Sequence, residues 1–221
     1  MKANPTLLSA FLVLLIQSCG YGQYVEDDWT DRDTWMDVEN LFEAVGLKPG
    51  NQVADIGCHE GYLTIHLAKK VGTTGKVFAV DVRADRLKTL ENYLKHHQYS
   101  NIRTILGDYD NPKLPRTTLD AVFIVDTYHE MKDYMTILSH VKRSLRPGGR
   151  ILILEKLKDR IKGKSRAEQT AAHSLAMHYV KQELHEVGFT ILKEVDDFGE
   201  WENDPTKIMW FLVAVKNPTT D

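Results

Sequence analysis

Four aspartates stand where a carboxylate could meet a polar small molecule. Asp55 lies in VADIGCHEGYLT (53–64), Asp81 closes VFAVD, Asp108 lies in GDYD and Asp126 follows LDAVFIV. An ionised carboxylate only accepts hydrogen bonds, which suits diols, amino groups and cations. Asp81, twenty residues after Gly61, can accept two bonds from a ribose diol. Asp108, with Tyr109 beside it, can accept one from an adenine amino group, and Asp126 falls over the centre of such a site. Gly57 lets backbone approach a ligand, and Gly61 lets a helix begin close to its strand. Free N–H groups at that helix start can face a polar ligand. His59 stands where nucleotide loops often have a third glycine, and a positive φ there strains a non-glycine residue. Beyond Asp126 come Tyr128, His129 and Glu130. His129 is a candidate base for a phenol, enol or thiol, with a hydrogen-bonded structural histidine as the alternative. Glu130 reads as a helix-start acid.

These residues need a scaffold of alternating strands and helices. Asp33 or Thr34 can cap a first helix running to Gly46. Strands are expected at Gln52–Ile56, Lys76–Val82, Ile102–Leu106, Leu119–Val125 and Arg150–Leu154, the fourth so continuously apolar that both faces must be buried. Helices are expected at Gly61–Val71, Ala84–His97 and Lys132–Leu145, the last ended by RPGG (146–149), with a long one at Ala167–Val187. Phe189–Val195 and Lys207–Val215 form a final strand pair. The pattern is α/β: a three-layer, Rossmann-like doubly wound sheet, mainly parallel with one antiparallel edge strand. Ligands of such sheets sit beyond the carboxyl ends of the strands, where the four aspartates fall.

The chain has 221 residues, 43% hydrophobic and 27% charged, enough for one sizeable core. A net charge of −3 gives no global attraction for nucleic acid or an anionic membrane. Two cysteines make no disulfide framework. Residues 1–23 read as a signal peptide: one lysine, then an apolar run from Leu7 to Ile16 that is too short to span a bilayer. Ile16-Gln17-Ser18-Cys19 is similar to a bacterial lipobox, with lipid on Cys19. The expected location is therefore the bacterial envelope, periplasmic or lipid-anchored, or the cytoplasm if the signal is unused. Residues 24–33 form an arm and 34–217 the domain.

Asp81 alone suits nicotinamide-adenine dinucleotide (NAD) and S-adenosylmethionine (SAM) equally. GDYD, Asp126 and RPGG separate the two, and Glu60 between the glycines would repel a pyrophosphate. Together, VADIGCHEGYLT, VFAVDV, GDYD, LDAVFIVDTYHEM, RPGGRILI and the closing strand pair resemble the class I SAM-dependent methyltransferases, near the ubiquinone/menaquinone-methyltransferase-like and small-molecule branches. The resemblance covers about residues 34 to 215. It implies strand order 3-2-1-4-5-7-6 with strand 7 antiparallel, SAM as cofactor and a small-molecule methyl acceptor. By motif, Asp55, Gly57, Cys58 and Gly61 would shape the methionine end of the pocket, Cys58 as a packing thiol. Asp81 and Val82 would take the ribose, Asp108 and Tyr109 the adenine, and Asp126 the methionine amino group or sulfonium.

Two other readings compete: an NAD-type oxidoreductase, and an envelope-anchored binding protein without catalysis. The second arises because SAM is made in the cytosol while the N-terminus looks exported. KLKDRIKGKSR (156–166) reads as a solvated basic loop, with a substrate lid as the alternative. Trp29 and Trp35 either fold over the cofactor mouth or cover the core edge. No metal is expected: on one helix His173 and His178 stand about 140° apart, and His178 and His185 about 10 Å apart along the axis.

Overall fold

The computed structural model describes residues 28–216. The signal peptide with Cys19, residues 24–27 of the arm and residue 217 lie outside the described residues. Seven strands form one sheet: β1 (Gln52–Ile56), β2 (Lys76–Asp81), β3 (Ile102–Leu106), β4 (Leu119–Val125), β5 (Leu145–Lys158), β6 (Phe189–Val195) and β7 (Lys207–Lys216). Their order is 3-2-1-4-5-7-6. β7 runs antiparallel to both β5 and β6, so the antiparallel strand lies inside the sheet and not at its edge, which β6 forms. After helical residues 28–32, the α-helices are α1 (Val38–Val45), α2 (Tyr62–Val71), α3 (Ala84–His96), α4 (Tyr134–Ser144), α5 (Arg166–Ala171) and α6 (Met177–Val187).

Strand alternation divides the core into two layers. On β5, Leu152 and Leu154 pack with α1 and α2, whereas Ile151 and Ile153 pack with α4 and α6. A period of two placing apolar residues on both faces is what a sheet covered on both sides requires. β1 and β4 lie at its centre, so the ends of β1, β2 and β4 converge where the strand order reverses.

Four local expectations change. Asp37, not Asp33 or Thr34, caps α1, its side chain accepting from the Asn40 N–H at 3.1 Å. Asp33 instead accepts from the Tyr62 hydroxyl at 2.7 Å. RPGG does not simply end a helix. α4 stops at Ser144, and RPGG bulges within a longer β5, since Leu119 opposes Leu145 but Ala121 opposes Arg150. The first part of KLKDRIKGKSR is strand rather than loop, because Lys156–Lys158 pair with β7.

The expected long helix at 167–187 is two. His173 adopts a left-handed φ of 51°. The next residues turn back onto β5: Ser174 Oγ donates to the Lys156 carbonyl at 2.7 Å, and the Leu175 N–H donates to the same carbonyl at 3.1 Å. Buried Gln169 braces the break by accepting from the Ala176 N–H at 2.7 Å. Small and polar residues here offer too little apolar area to hold a continuous helix against these bonds.

Candidate active site

A cavity of about 500 Å³ opens at the carboxyl ends of β1, β2 and β4. Of the residues singled out from sequence, Asp55, Gly57, Cys58, Asp81, Val82, Asp108, Tyr109 and Asp126 line it, while Gly61 and His129 do not.

The β1–α2 loop is shaped by its glycines. Gly57 has φ 79°, and a Cβ there would meet the Thr127 side chain at 2.3 Å. Gly61 has φ 101°, and a Cβ would strike Leu90 of α3 at 2.4 Å. Gly61 thus lets α2 pack against α3 rather than facing the cavity. His59 carries the expected strain, with φ 51°. Its N–H donates to Asp81 Oδ2 at 2.9 Å, which fixes the strained residue to β2. The loop amides are not free for a ligand: Gly57 and Cys58 donate to the Val80 carbonyl, and Gly61 to that of Cys58. Glu60 is ion-paired with Arg86, so its charge repels an anion less than the bare sequence suggests.

Each aspartate has a different environment. Asp55 is buried and accepts from Thr64 Oγ1 at 2.6 Å. Burial raises its pKa to about 6, partly offset by the Thr64 bond. Asp81 accepts from the His59 and Arg83 N–H groups, one on each oxygen, at 2.9 Å. Each oxygen keeps a lone pair for a ligand. Asp108 is exposed and pairs with Lys113 at 2.8 Å. Asp126 has φ 53° and is ion-paired with Lys156. Burial raises its pKa, and Glu155 adds to this, against Lys156. Burial likewise holds the Cys58 thiol protonated, above its ordinary range.

Behind Asp126 lies a buried polar group. Fully buried Glu155 accepts from the His129 backbone N–H at 3.0 Å and faces His129 Nδ1 at 2.8 Å. Burial pulls the His129 pKa down, but the Glu155 bond and charge outweigh it, so the net shift is upward. The His129 side chain is 2% exposed and so has no free path to an acceptor in the cavity.

Sequence reasoning missed Arg32, Glu155 and Lys156. Arg32 lines the cavity from the arm, with its guanidinium 4.4 Å from the Tyr62 ring centre and 5.2 Å from that of Trp201. Its Nε has no hydrogen-bond partner among the described residues. Trp29 lines the cavity, whereas Trp35 packs on Trp201 at 4.7 Å. The arginine in WTDRDT carried no period or motif to mark it. Glu155 acquires its setting from the turn after β4, and Lys156 from the extension of β5 along β7.

The family model described as "ubiE/COQ5 methyltransferase family" matches residues 29–198. The chain belongs to this family. A demethylmenaquinone methyltransferase of Geobacillus sp. (strain WCH70) is 32% identical over 117 residues, 53% of this chain and 50% of that protein. A ubiquinone/menaquinone biosynthesis C-methyltransferase of Hahella chejuensis is 34% identical over 111 residues, 50% of this chain and 45% of that protein. The chain thus spans about half the length of the curated relatives it matches. Among solved structures, a SAM-dependent methyltransferase from Aquifex aeolicus superposes with TM-score 0.72 at 23% identity, covering 88% of this chain and 97% of that one. That likeness is one of fold.

Proposed function

We propose that the chain binds SAM in the β1–β2–β4 cavity and transfers its methyl group to a small molecule. The observation that carries this is the set of acids at successive strand ends around one cavity, faced by an arginine with an unpartnered nitrogen. When bound, SAM supplies a methyl group on a cationic sulfur. The spare lone pairs of Asp81 would take the ribose hydroxyls, and Asp108 the adenine amino group. Arg32 would hold the cofactor's carboxylate, a role suited to a guanidinium whose Nε lacks an acceptor. Asp55, when ionised, makes this part of the cavity favourable to positive charge, whereas Asp126 is already paired with Lys156. Methyl transfer is an in-line displacement, so the chain mainly orients the partners and excludes water. His129, turned toward Glu155, positions the β4 turn rather than abstracting a proton. The relatives' names make a demethylmenaquinone-type acceptor the first to try. Loss of labelled methyl from SAM to that acceptor, or to another in a metabolite screen, tests the transfer. SAM binding without transfer to any acceptor would favour the binding-protein reading.

Residues 1–23 support export, with Cys19 as the lipid site. Export puts the enzyme apart from cytosolic SAM, so supply of SAM to the envelope is part of this proposal. Fractionation of cells carrying the full-length protein tests it, and a purely cytosolic signal would refute export.

A further inference from the structure

The break between α5 and α6 brings three side chains together. His129 and Glu130 sit in the turn after β4, and His173 in the break itself. Glu130 Oε1 lies 3.8 Å from His129 Nε2 and 3.4 Å from His173 Nδ1. All three ligand-type atoms fall within 4.8 Å of one another. The two imidazoles meet edge to face, at 85° with ring centres 5.6 Å apart. Ligands of a tetrahedral zinc with bonds of about 2.0–2.1 Å stand roughly 3.3 Å from each other. The two spacings from Glu130, 3.4 and 3.8 Å, are close to that value, and the third lies within 4.8 Å. The absence of a metal, expected from sequence, rested on a continuous helix, and His173 is not on one.

Two features aim the group. Glu155 faces His129 Nδ1 with both oxygens, at 2.8 and 3.0 Å. A proton on Nδ1 leaves the lone pair on Nε2, the side that faces Glu130. A carboxylate behind the imidazole is the usual support of a metal-binding histidine. In addition, His173 is held in the left-handed region at φ 51°, a conformation costing about 1–2 kcal/mol, and this places its ring against Glu130 and His129. A rival triad, Asp126, His129 and Glu155, is already occupied: Lys156 neutralises Asp126, and Glu155 holds His129 through Nδ1 and the backbone N–H.

The geometry points to a divalent-cation site of the zinc type, formed by His129 Nε2, the Glu130 carboxylate and His173 Nδ1. Three protein ligands leave a fourth position open, the arrangement of catalytic rather than structural zinc. Glu130 also lines the main cavity, so one ligand of the ion borders it, although His129 and His173 do not. On the methyl-transfer reading above, an acceptor hydroxyl or thiol at the open position would lose its proton more easily, which removes the need for a free base.

The test uses zinc alone, without SAM or acceptor, so its outcome is independent of the methyl-transfer reading. The chelator-stripped full-length chain is titrated with Zn²⁺ by calorimetry. One ion per chain is expected. His173→Gln and Glu130→Gln should each weaken binding at least about tenfold, and Glu155→Gln about 10- to 100-fold. His178→Gln, an exposed position on α6, should bind as the wild type. His173 and Glu130 are exposed, so thermal unfolding of their variants should match the wild type and separate lost binding from lost fold. No binding tighter than about 100 μM, or unchanged binding by His173→Gln, would overturn the site.

Discussion

The two halves of the cavity are built differently. On the β1–β2–β3 side, Asp81 and Asp108 are only partly buried or exposed, and each neighbour sits within a loop or an adjacent strand. On the β4–β5–β7 side, buried His129, Glu155 and Lys156 and part-buried Asp126 form a network whose two halves, 126–129 and 155–156, are about thirty residues apart in sequence. An open carboxylate keeps lone pairs for a ligand and is cheap to hold. A buried charged network must satisfy itself, so losing one member leaves another uncompensated. The first half is suited to recognition and the second to rigid positioning.

The largest effect should come from breaking the buried half. Lys156→Met leaves Asp126 without its cation and should lower stability by about 3 kcal/mol in urea unfolding. A loss below about 1 kcal/mol would mean that Asp126 protonates or reaches water, and the contrast would fail. Asp55, a buried acid on the β1 side, should show a burial cost as a pH dependence. Its folded pKa of about 6 lies above the unfolded value. Its contribution is therefore fully present below about pH 4 and is lost as pH rises through 6. Asp55→Asn should flatten unfolding free energy across that window, by about 3 kcal/mol at most.

Effects on the open half should be smaller and fall on binding. Asp81→Asn should weaken SAM about tenfold or more, equivalent to about 1.4 kcal/mol, with little loss of fold. His59→Gly relieves a left-handed residue and should leave SAM affinity intact or slightly improved. A marked loss would show that the imidazole contacts cofactor or substrate. Lys113→Ala, at the exposed pair with Asp108, should change stability by about 0–1 kcal/mol.

The same division decides what could be read from sequence. Asp55, Asp81, Asp108 and Asp126 follow apolar runs, so strand periodicity alone placed them around one opening. The strand order and antiparallel β7 followed from the family resemblance. His129 was visible as a residue type, but its burial against Glu155 was not, because β4 and β5 meet only in the folded sheet. Lys156 looked like part of a solvated basic run until β5 proved to extend and pair with β7. The helix break at His173 depends on Ser174 and Leu175 bonding to the Lys156 carbonyl, a contact that no local period encodes.

The central claim is that the acid-lined cavity holds SAM. Calorimetric titration of the full-length chain with SAM tests it most directly, with NAD as the comparison. Saturable 1:1 binding of SAM is expected, weakened by Asp81→Asn and by Arg32→Ala, with no comparable heat from NAD. An absence of heat at millimolar SAM, or tighter binding of NAD, would contradict it.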